Sequence, residues 1–413
     1  MKCSKICFLK KYFLTLFLSL IFYSNSYSQE LKRIHHFGKN KGHLKMYLHA
    51  PPAIDASKAI PLVVVLHGCL QCAASVSHQS GWNKLADAHD FYVLYPQQRS
   101  VNNPAKCFKW YKRKHISKNR GENSSIKSMI DFMKTNYSID STKVFITGLS
   151  AGGAMSVIMM ADYPETFNAG AVFAGAPYKV ATSLIPAAMT FFGWRIKTPE
   201  QWGNLVRKQN PNYIGDYPKM IIYQGNNDWI VNKKNGVELM KQWTNVHHTS
   251  TVPSEIIQHY VGNTDIERSV FRDKEKRDAV IFYKINKLSH ALLVDPGKCN
   301  LQGGRTGIFS KDKNYLSTLF TAYDFGLIPT PTISGKKTVQ AKEQNITFKV
   351  PFKDGAKYEW TYPADCEVIK NDGTNSITLN WGSSSGCINV AETNVSFCKK
   401  QYQTLLVSVV EEK

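Results

Sequence analysis

Apolar runs alternate with amphipathic stretches over the first three quarters of the chain. Residues 61–66 and 91–95 are continuous aliphatic and aromatic runs, which are typical of strands buried on both faces of a sheet. Residues 124–135 place apolar side chains on one face at helical spacing. Further strands are predicted at 143–147, 171–174, 220–223 and 279–285, and further helices at 151–162 and 313–325. This alternation predicts an α/β fold, a mostly parallel sheet with helices on both faces.

Two parts of the chain depart from this alternation. Residues 178–217 carry two tryptophans and several Pro and Gly, and we interpret them as a cap or insertion over the carboxyl edge of the sheet. Residues 328–332 are rich in Pro and Thr, which predicts a linker. Short alternating segments with turn signals follow, and they predict a small all-β sandwich over residues 333–413.

The first 28 residues have the order of a secretory signal peptide. Four lysines precede an apolar stretch at 12–23, and small residues precede a predicted cleavage after Ser28. An uncleaved membrane anchor is the alternative, which the shortness of the apolar stretch disfavours. We therefore predict export, with a catalytic domain at residues 29–327. No later apolar run is long enough to span a bilayer, so no membrane span is expected after signal removal.

The chain is strongly basic, with a formal charge of +21. A charge of this size can indicate nucleic-acid binding, but the basic residues are dispersed and form no recognition motif. We expect no nucleic-acid partner and a basic surface that favours acidic polymers or envelopes. Seven cysteines remain after residue 28, an odd number of disulfide candidates for an exported protein. None has zinc-site spacing, and no metal or cofactor is expected.

A G-x-S-x-G motif stands between a predicted strand and a predicted helix, at residues 148–152. A sharp turn there lifts the Ser150 hydroxyl clear of the sheet, and the following helix offers free N–H groups to a developing oxyanion. The motif predicts that Ser150 is a nucleophile, in the α/β-hydrolase form of the fold. An ordinary strand-to-helix turn is the alternative.

A serine nucleophile needs a base, and in this fold an acid and then a histidine follow it along the chain. Asp228 lies just after the strand predicted at 220–223, and His290 lies just after the strand at 279–285. We predict that these two residues are the acid and the base. Asp216 and Asp265 are weaker candidates for the acid because they lack this context.

The loop after the first long apolar strand contains His67-Gly68-Cys69. In this fold that loop supplies one oxyanion N–H and the residue after the nucleophile supplies the other. We therefore predict the backbone amides of Cys69 and Ala151 as donors. His67 precedes the nucleophile, and we interpret it as a brace for the loop and not as the base.

Several segments together resemble the extracellular poly(3-hydroxybutyrate) depolymerase family of esterases. The segments, in order, are His67-Gly68-Cys69, Ser80-Gly81-Trp82-Asn83, Leu94-Tyr95-Pro96-Gln97-Gln98, Asn102-Asn103-Pro104 with Cys107, Gly121-Glu122-Asn123, residues 148–155, residues 242–247, and His290-Ala291 with Val294-Asp295-Pro296-Gly297. The resemblance implies a secreted Ser-Asp-His hydrolase related to feruloyl and acetylxylan esterases. It implies Ser150, Asp228 and His290 as the triad, with an oxyanion amide at Cys69.

Two departures from the family affect the expected substrate. Ser289 stands where members often have Gly, and residues 109–120 are unusually basic. Trp110 and Trp229 flank the predicted site, either as an apolar platform for substrate or as ordinary packing. Among the possible cysteine pairs, we prefer a disulfide between Cys69 and Cys107. The C-terminal segment resembles a PKD-like or immunoglobulin-like module, which implies a spacer or a polymer-binding role.

Three functions are compared on these grounds. The first is hydrolysis of a polyester of the poly(3-hydroxybutyrate) type through an acyl-enzyme, by a protein expected to be monomeric. The second is removal of feruloyl or acetyl groups from plant cell-wall polysaccharide with the same triad. The third is a secreted binding protein with an inactive hydrolase core, which the presence of Ser, Asp and His disfavours.

Overall fold

The computed structural model describes residues 31–52, 54–55, 57–297, 302–330, 333–394 and 401–410. The predicted signal peptide lies outside the described residues, as do two residues of the predicted linker. Within those ranges, no helix has both the length and the apolar character needed to cross a bilayer.

A ten-stranded sheet forms the centre of the larger part. Its strands are β1 (Lys32–Ile34), β2 (Lys45–His49), β3 (Ile60–Leu66), β4 (Tyr92–Gln97), β5 (Ile139–Leu149), β6 (Ala169–Phe173), β7 (Lys219–Gly225), β8 (Glu255–Ile257), β9 (Ile266–Arg272) and β10 (Asp278–Ile285). Their order is β1-β2-β4-β3-β5-β6-β7-β10-β9-β8. The six strands from β4 to β10 run parallel, and the two outermost strands on each side pair antiparallel.

In the described part of the chain, eight helices connect or cover these strands. They are α1 (Ala73–Ser80), α2 (Trp82–His89), α3 (Gly121–Asn136), α4 (Ala151–Asp162), α5 (Leu184–Phe191), α6 (Pro199–Arg207), α7 (Lys234–Val246) and α8 (Ser317–Phe325). One core cluster joins the sheet to α3, α4, α6 and α7, and a second joins its other face to α1, α2 and α8. The predicted α/β fold with helices on both faces is therefore confirmed.

One local prediction needs correction. The helix predicted from residue 313 begins at Ser317, although it ends before Gly326, whose φ of 69° makes it the expected left-handed cap. Within the cap or insertion predicted over 178–217, helix α6 packs against α7. Helix α6 is a crossover helix, because Trp202 is fully buried and donates to Glu238 Oε2 on α7 at 2.7 Å.

The C-terminal part contains two small sheets, as predicted for a sandwich. After the parallel pair β11 (Leu292–Val294) and β12 (Ser310–Asp312) come β13 (Thr338–Gln340), β14 (Ile346–Lys349), β15 (Lys357–Thr361), β16 (Glu367–Lys370), β17 (Ser376–Asn380), β18 (Gly386–Thr393) and β19 (Gln401–Val410). One sheet has the order β13-β19-β18-β15 and the other β14-β17-β16. Phe348, Trp360 and Trp381 are buried in the core of this part.

Candidate active site

Ser150 occupies a sharp turn between β5 and α4. Its backbone has φ 57° and ψ −120°, in a region that side chains with a Cβ rarely adopt. The Ser150 amide donates to Phe173 O at 2.8 Å, which fixes the turn to the neighbouring strand β6. The glycines on either side are required by space: a Cβ on Gly152 would lie 2.2 Å from Leu66 O, and one on Gly148 would lie 2.4 Å from the Gly152 carbonyl carbon.

Asp228 and His290 lie together at the carboxyl ends of the neighbouring strands β7 and β10. Asp228 Oδ2 is 2.8 Å from His290 Nδ1, and both residues are buried. Because a carboxylate oxygen only accepts, Nδ1 carries the proton and Nε2 is left as the basic nitrogen. The other carboxylate oxygen accepts from the amides of Ile230 and Val231, at 2.9 and 2.8 Å. The aspartate is therefore held in one orientation toward the imidazole.

The two loops that carry this pair approach each other at Gly225. A Cβ there would lie 2.2 Å from Leu288 O. The backbone amide of Asn227 donates to the same Leu288 oxygen at 3.1 Å, and that of Asn226 donates to Ile285 O at 2.9 Å. A glycine at the end of β7 thus brings the acid loop within hydrogen-bonding reach of the histidine loop.

The competing acids take other partners. Asp216 is exposed and pairs with Arg277 at 3.0 Å, and Asp265 pairs with Lys313 at 3.0 Å. Among the described residues, Asp228 is the acid paired with His290.

His67 braces the loop after β3, as predicted. Its Nε2 accepts from the backbone N–H of Gln98 at 3.1 Å, so Nδ1 carries the proton and donates to Gly68 O at 2.7 Å. Burial lowers the pKa of His67 to about 4, so the ring is neutral at pH 7. Gly68 is close to the nucleophile, since a Cβ built on it would lie 3.5 Å from Ser150 Cβ.

The preferred disulfide between Cys69 and Cys107 is present. It ties the loop after β3 to the loop after β4, and the Leu70 amide adds a hydrogen bond to Ala105 O at 2.7 Å. On the other side of the nucleophile, the Ala151 amide lies in the first turn of α4, where helical N–H groups have no intrahelical acceptor. Of the two amides predicted as oxyanion donors, that of Ala151 is next to Ser150 in the chain. That of Cys69 follows Gly68, the residue that lies close to Ser150.

Glu122 is a buried residue whose role the sequence did not indicate. It lies in the first turn of α3 and accepts from Gln98 Nε2 at 2.6 Å and from the Lys109 amide at 2.7 Å. Burial raises its pKa to about 7, although these hydrogen bonds lower the pKa. Because the backbone N–H of Gln98 donates to His67 Nε2, Glu122 is connected through one residue to the histidine that braces the proposed oxyanion loop.

The two tryptophans proposed for substrate binding differ in exposure. Trp110 is buried and its ring stands perpendicular to Phe191 at 6.0 Å, which joins the loop after β4 to α5. Trp229, directly after Asp228, is 91% exposed. Several apolar side chains on α5 and the residues after it are also exposed, namely Leu184, Ile185, Phe191, Phe192, Trp194 and Ile196.

The described residues contain no cluster of three or more His, Cys, Asp or Glu side chains suited to a metal ion. The arrangement of polar groups is one that suits acyl transfer, because a hydroxyl at a strained turn and a buried Asp–His pair both lie at the carboxyl edge of one sheet.

Comparison with known proteins agrees with this chemistry. The family described as Esterase PHB depolymerase matches residues 44–248, and a PKD-like domain matches residues 327–407. Poly(3-hydroxyalkanoate) depolymerase C of Paucimonas lemoignei is 40% identical over 305 residues, which are 74% of this chain and 72% of that protein. The chain belongs to the PHB depolymerase family of esterases.

Acetylxylan and feruloyl esterases are also similar to this PHB depolymerase family member. Acetylxylan esterase of Coprinopsis cinerea is 35% identical over 230 residues, 54% of this chain and 60% of that protein. Feruloyl esterase B of Neurospora crassa is 32% identical over 238 residues, 54% of this chain and 80% of that protein. An acetylxylan esterase from Aspergillus awamori has the same fold, with a TM-score of 0.61 at 24% identity, over 72% of this chain and all of that one. The family member is thus a carboxylic ester hydrolase.

Proposed function

We propose that this family member hydrolyses ester bonds by a Ser150-His290-Asp228 triad. The observation that carries the proposal is the buried Asp228–His290 hydrogen bond, at the same sheet edge as the strained turn of Ser150. His290 Nε2 removes the proton from Ser150 Oγ as the oxygen attacks the ester carbonyl. Asp228 holds the imidazole in the tautomer that accepts this proton and stabilises the imidazolium that forms.

The tetrahedral intermediate carries a negative oxygen that needs N–H donors. We assign this role to the Cys69 and Ala151 amides, which follow β3 and begin α4. Collapse of the intermediate breaks the bond to the alcohol, which leaves with the proton from His290, and an acyl group remains on Ser150. A water molecule, deprotonated by His290, then attacks the acyl carbon and releases the acid.

A poly(3-hydroxybutyrate)-type polyester is the proposed substrate. The support is the 40% identity to a poly(3-hydroxyalkanoate) depolymerase over 305 residues, together with exposed apolar side chains around the acid loop. Trp229 is assigned to substrate contact because it is exposed and adjacent to Asp228. Trp110 is assigned the more indirect task of holding α5 against the loop after β4.

Removal of acetyl or feruloyl groups from xylan is the second candidate. It is favoured by the acetylxylan and feruloyl esterases among the relatives. Product analysis separates the two candidates. The purified protein is incubated with poly(3-hydroxybutyrate), acetylated xylan and feruloylated xylan, and free 3-hydroxybutyrate, acetate and ferulate are quantified. We expect 3-hydroxybutyrate to dominate, and release of acetate or ferulate alone contradicts the polyester assignment.

Export and domain division belong to the same proposal. Residues 1–28 act as a signal peptide, residues 29–327 form the esterase domain, and residues 333–413 form the PKD-like module after the linker at 328–332. The lysine-rich start, the disulfide and the separate apolar core of the C-terminal part support this division. We propose a secreted monomer, and light scattering of the purified mature chain tests the monomeric state.

A further inference from the structure

Basic side chains lie on two segments that flank the turn of Ser150. Lys106, Lys112, Arg113 and Lys114 belong to the loop between β4 and α3, and Lys179 belongs to the segment after β6. We call these five residues the basic rim. Lys112, Arg113 and Lys114 are exposed, and the other two are half-buried.

The basic rim is held close to the proposed oxyanion loop. The disulfide of Cys107 to Cys69 and the hydrogen bond of the Leu70 amide to Ala105 O fix the start of the rim loop beside that loop. Burial is the main reason for the low pKa of His67, and the charge of Lys106 lowers it further. Lys106, between Ala105 and Cys107, therefore lies beside the proposed oxyanion loop.

The rest of the rim loop is connected to α5 and to the acid loop at the carboxyl edge of the sheet. Trp110 contacts Phe191 of α5, and the Phe191 carbonyl accepts from the Asn232 amide at 3.1 Å, four residues after Asp228. Burial is the main cause of the lowered pKa of Lys179; the charge of Asp162 raises this pKa and the charge of Arg113 lowers it. The rim thus extends from the loop after β4 to the segment after β6, on either side of β3 and β5.

Most of its positive charge has no salt-bridge partner among the described residues. Over the described ranges, the four rim residues of the loop have no carboxylate within salt-bridge distance. Two buried carboxylates interact electrostatically with rim residues, Glu122 with Lys112 and Asp162 with Lys179. Burial raises the pKa of each to about 7, so neither provides a full negative charge near neutral pH. An exposed group of like charges beside a catalytic edge raises the local concentration of anions.

We propose that the basic rim binds the terminal carboxylate of a linear hydroxyacid oligoester and thereby favours short anionic chains as substrates. This inference rests on the proposed polyesterase function. Each hydrolysis of an internal polyester bond leaves one chain that ends in a carboxylate, whereas the intact polymer has almost no charge. Cations near the site are therefore suited to the soluble products of a first cleavage, which still contain ester bonds.

The test compares two forms of one substrate. Linear 3-hydroxybutyrate trimer is supplied either as the free acid or as its terminal N-methylamide, which has the same ester bonds without the charge. The double variant Lys112→Gln/Lys114→Gln removes two rim charges at exposed positions. The matched control is Lys274→Gln/Lys276→Gln, in the hairpin between β9 and β10 at the opposite, amino edge of the sheet.

We expect the rim variant to raise KM for the free acid by roughly three- to tenfold, the size expected for two exposed charge contacts. We expect kcat and the KM for the N-methylamide to stay unchanged, and the control variant to match wild type on both substrates. In wild type, the preference for the free acid should fall as added salt shortens the Debye length to about 3 Å at 1 M.

Equal KM values for the acid and the amide in wild type overturn the inference, as does an equal effect of the control variant. If the rim variant weakens only the cleavage of acidic xylan fragments, the ligand is an acidic polysaccharide and the inference fails. If neither form of the trimer is cleaved, the polyesterase function itself fails, which product analysis shows independently.

Discussion

Replacing Asp228 by asparagine changes one atom of the site and is expected to invert the tautomer of His290. Oδ1 of Asp228 accepts two amides, from Ile230 and Val231, while Oδ2 accepts the His290 Nδ1 proton. In the variant, the amide oxygen stays on the two backbone N–H groups, because the reverse orientation would place NH₂ against two donors. The NH₂ group then faces Nδ1, which must accept, and the proton moves to Nε2.

A histidine with its proton on Nε2 has no lone pair there to take the proton of Ser150. In enzymes with a Ser-His-Asp triad the same change reduces kcat by about 10⁴-fold, which is about 5.5 kcal/mol of activation free energy. Stability should change little, since the backbone hydrogen bonds of Asp228 are retained and one buried hydrogen bond is worth about 1 kcal/mol. A large loss of rate with a small loss of stability is therefore the expected signature of Asp228→Asn.

The assay is the initial rate on p-nitrophenyl butyrate, with thermal unfolding followed in parallel. Asp216→Asn is the matched control, because Asp216 is an exposed acid that pairs with Arg277, and it should retain wild-type kcat. An Asp228→Asn protein that folds normally and retains more than about a tenth of wild-type kcat would refute the assignment of Asp228 as the acid of the triad.

Three further substitutions test the supports of the site. Gly225→Ala places a Cβ 2.2 Å from Leu288 O, so we expect it to separate the acid and histidine loops and to lower kcat on p-nitrophenyl butyrate by at least tenfold; wild-type kcat would contradict the close approach. Glu122 has a pKa raised to about 7 against an ordinary 4.5, so its contribution to stability is present below pH 4.5 and is lost as the pH rises to about 7. Between pH 4.5 and 7, the unfolding free energy of Glu122→Gln should therefore rise by up to about 3 kcal/mol relative to that of wild type. Urea denaturation measures both proteins at each pH, and the contribution of the buried histidines cancels when one free energy is subtracted from the other. If this difference between the two proteins does not change with pH, Glu122 is not a buried ionisable carboxyl. The double variant Cys69→Ser with Cys107→Ser opens a loop with a sequence separation of 38 and should lose about 3 to 4 kcal/mol of unfolding free energy, and an unchanged denaturation midpoint would argue against the disulfide as a stabilising link.

The parts of the site that the sequence predicts are those encoded locally. The turn of Ser150 follows from small residues at fixed positions between an apolar strand and a helix. Asp228 and His290 could be predicted because each directly follows a strand, and the carboxyl ends of parallel strands meet at one edge. The backbone geometry that orients them depends on contacts between two loops whose paired residues are 62 positions apart in the chain, such as the approach at Gly225. No local sequence pattern indicates these contacts.

Glu122 illustrates what local patterns omit. Its hydrogen bonds go to Gln98 and Lys109, and its link to His67 passes through a third segment. A glutamate in the first turn of a helix is ordinary on a surface, so only the packing of three segments reveals that it is buried. Strand β9, which lies between β10 and the edge strand β8, was also missed, because Glu267 and Arg268 interrupt its apolar pattern.

The cap over residues 178–217 shows why tryptophan content is a weak guide to exposure. Trp194 is largely exposed beside α5, whereas Trp202 on α6 is fully buried with its indole N–H satisfied by Glu238. Both stand in similar Pro- and Gly-containing sequence, and helical packing against α7 decides between them.

Mass spectrometry of the acylated protein tests the central claim most directly. The protein is mixed with a slowly deacylated p-nitrophenyl ester, quenched in acid, digested and sequenced by fragmentation. We expect the mass of one acyl group on the peptide that contains Ser150, localised to that residue and absent from Ser150→Ala. Normal turnover by Ser150→Ala, or an acyl group on another residue that accumulates at the rate of turnover, would contradict the assignment of Ser150 as the nucleophile.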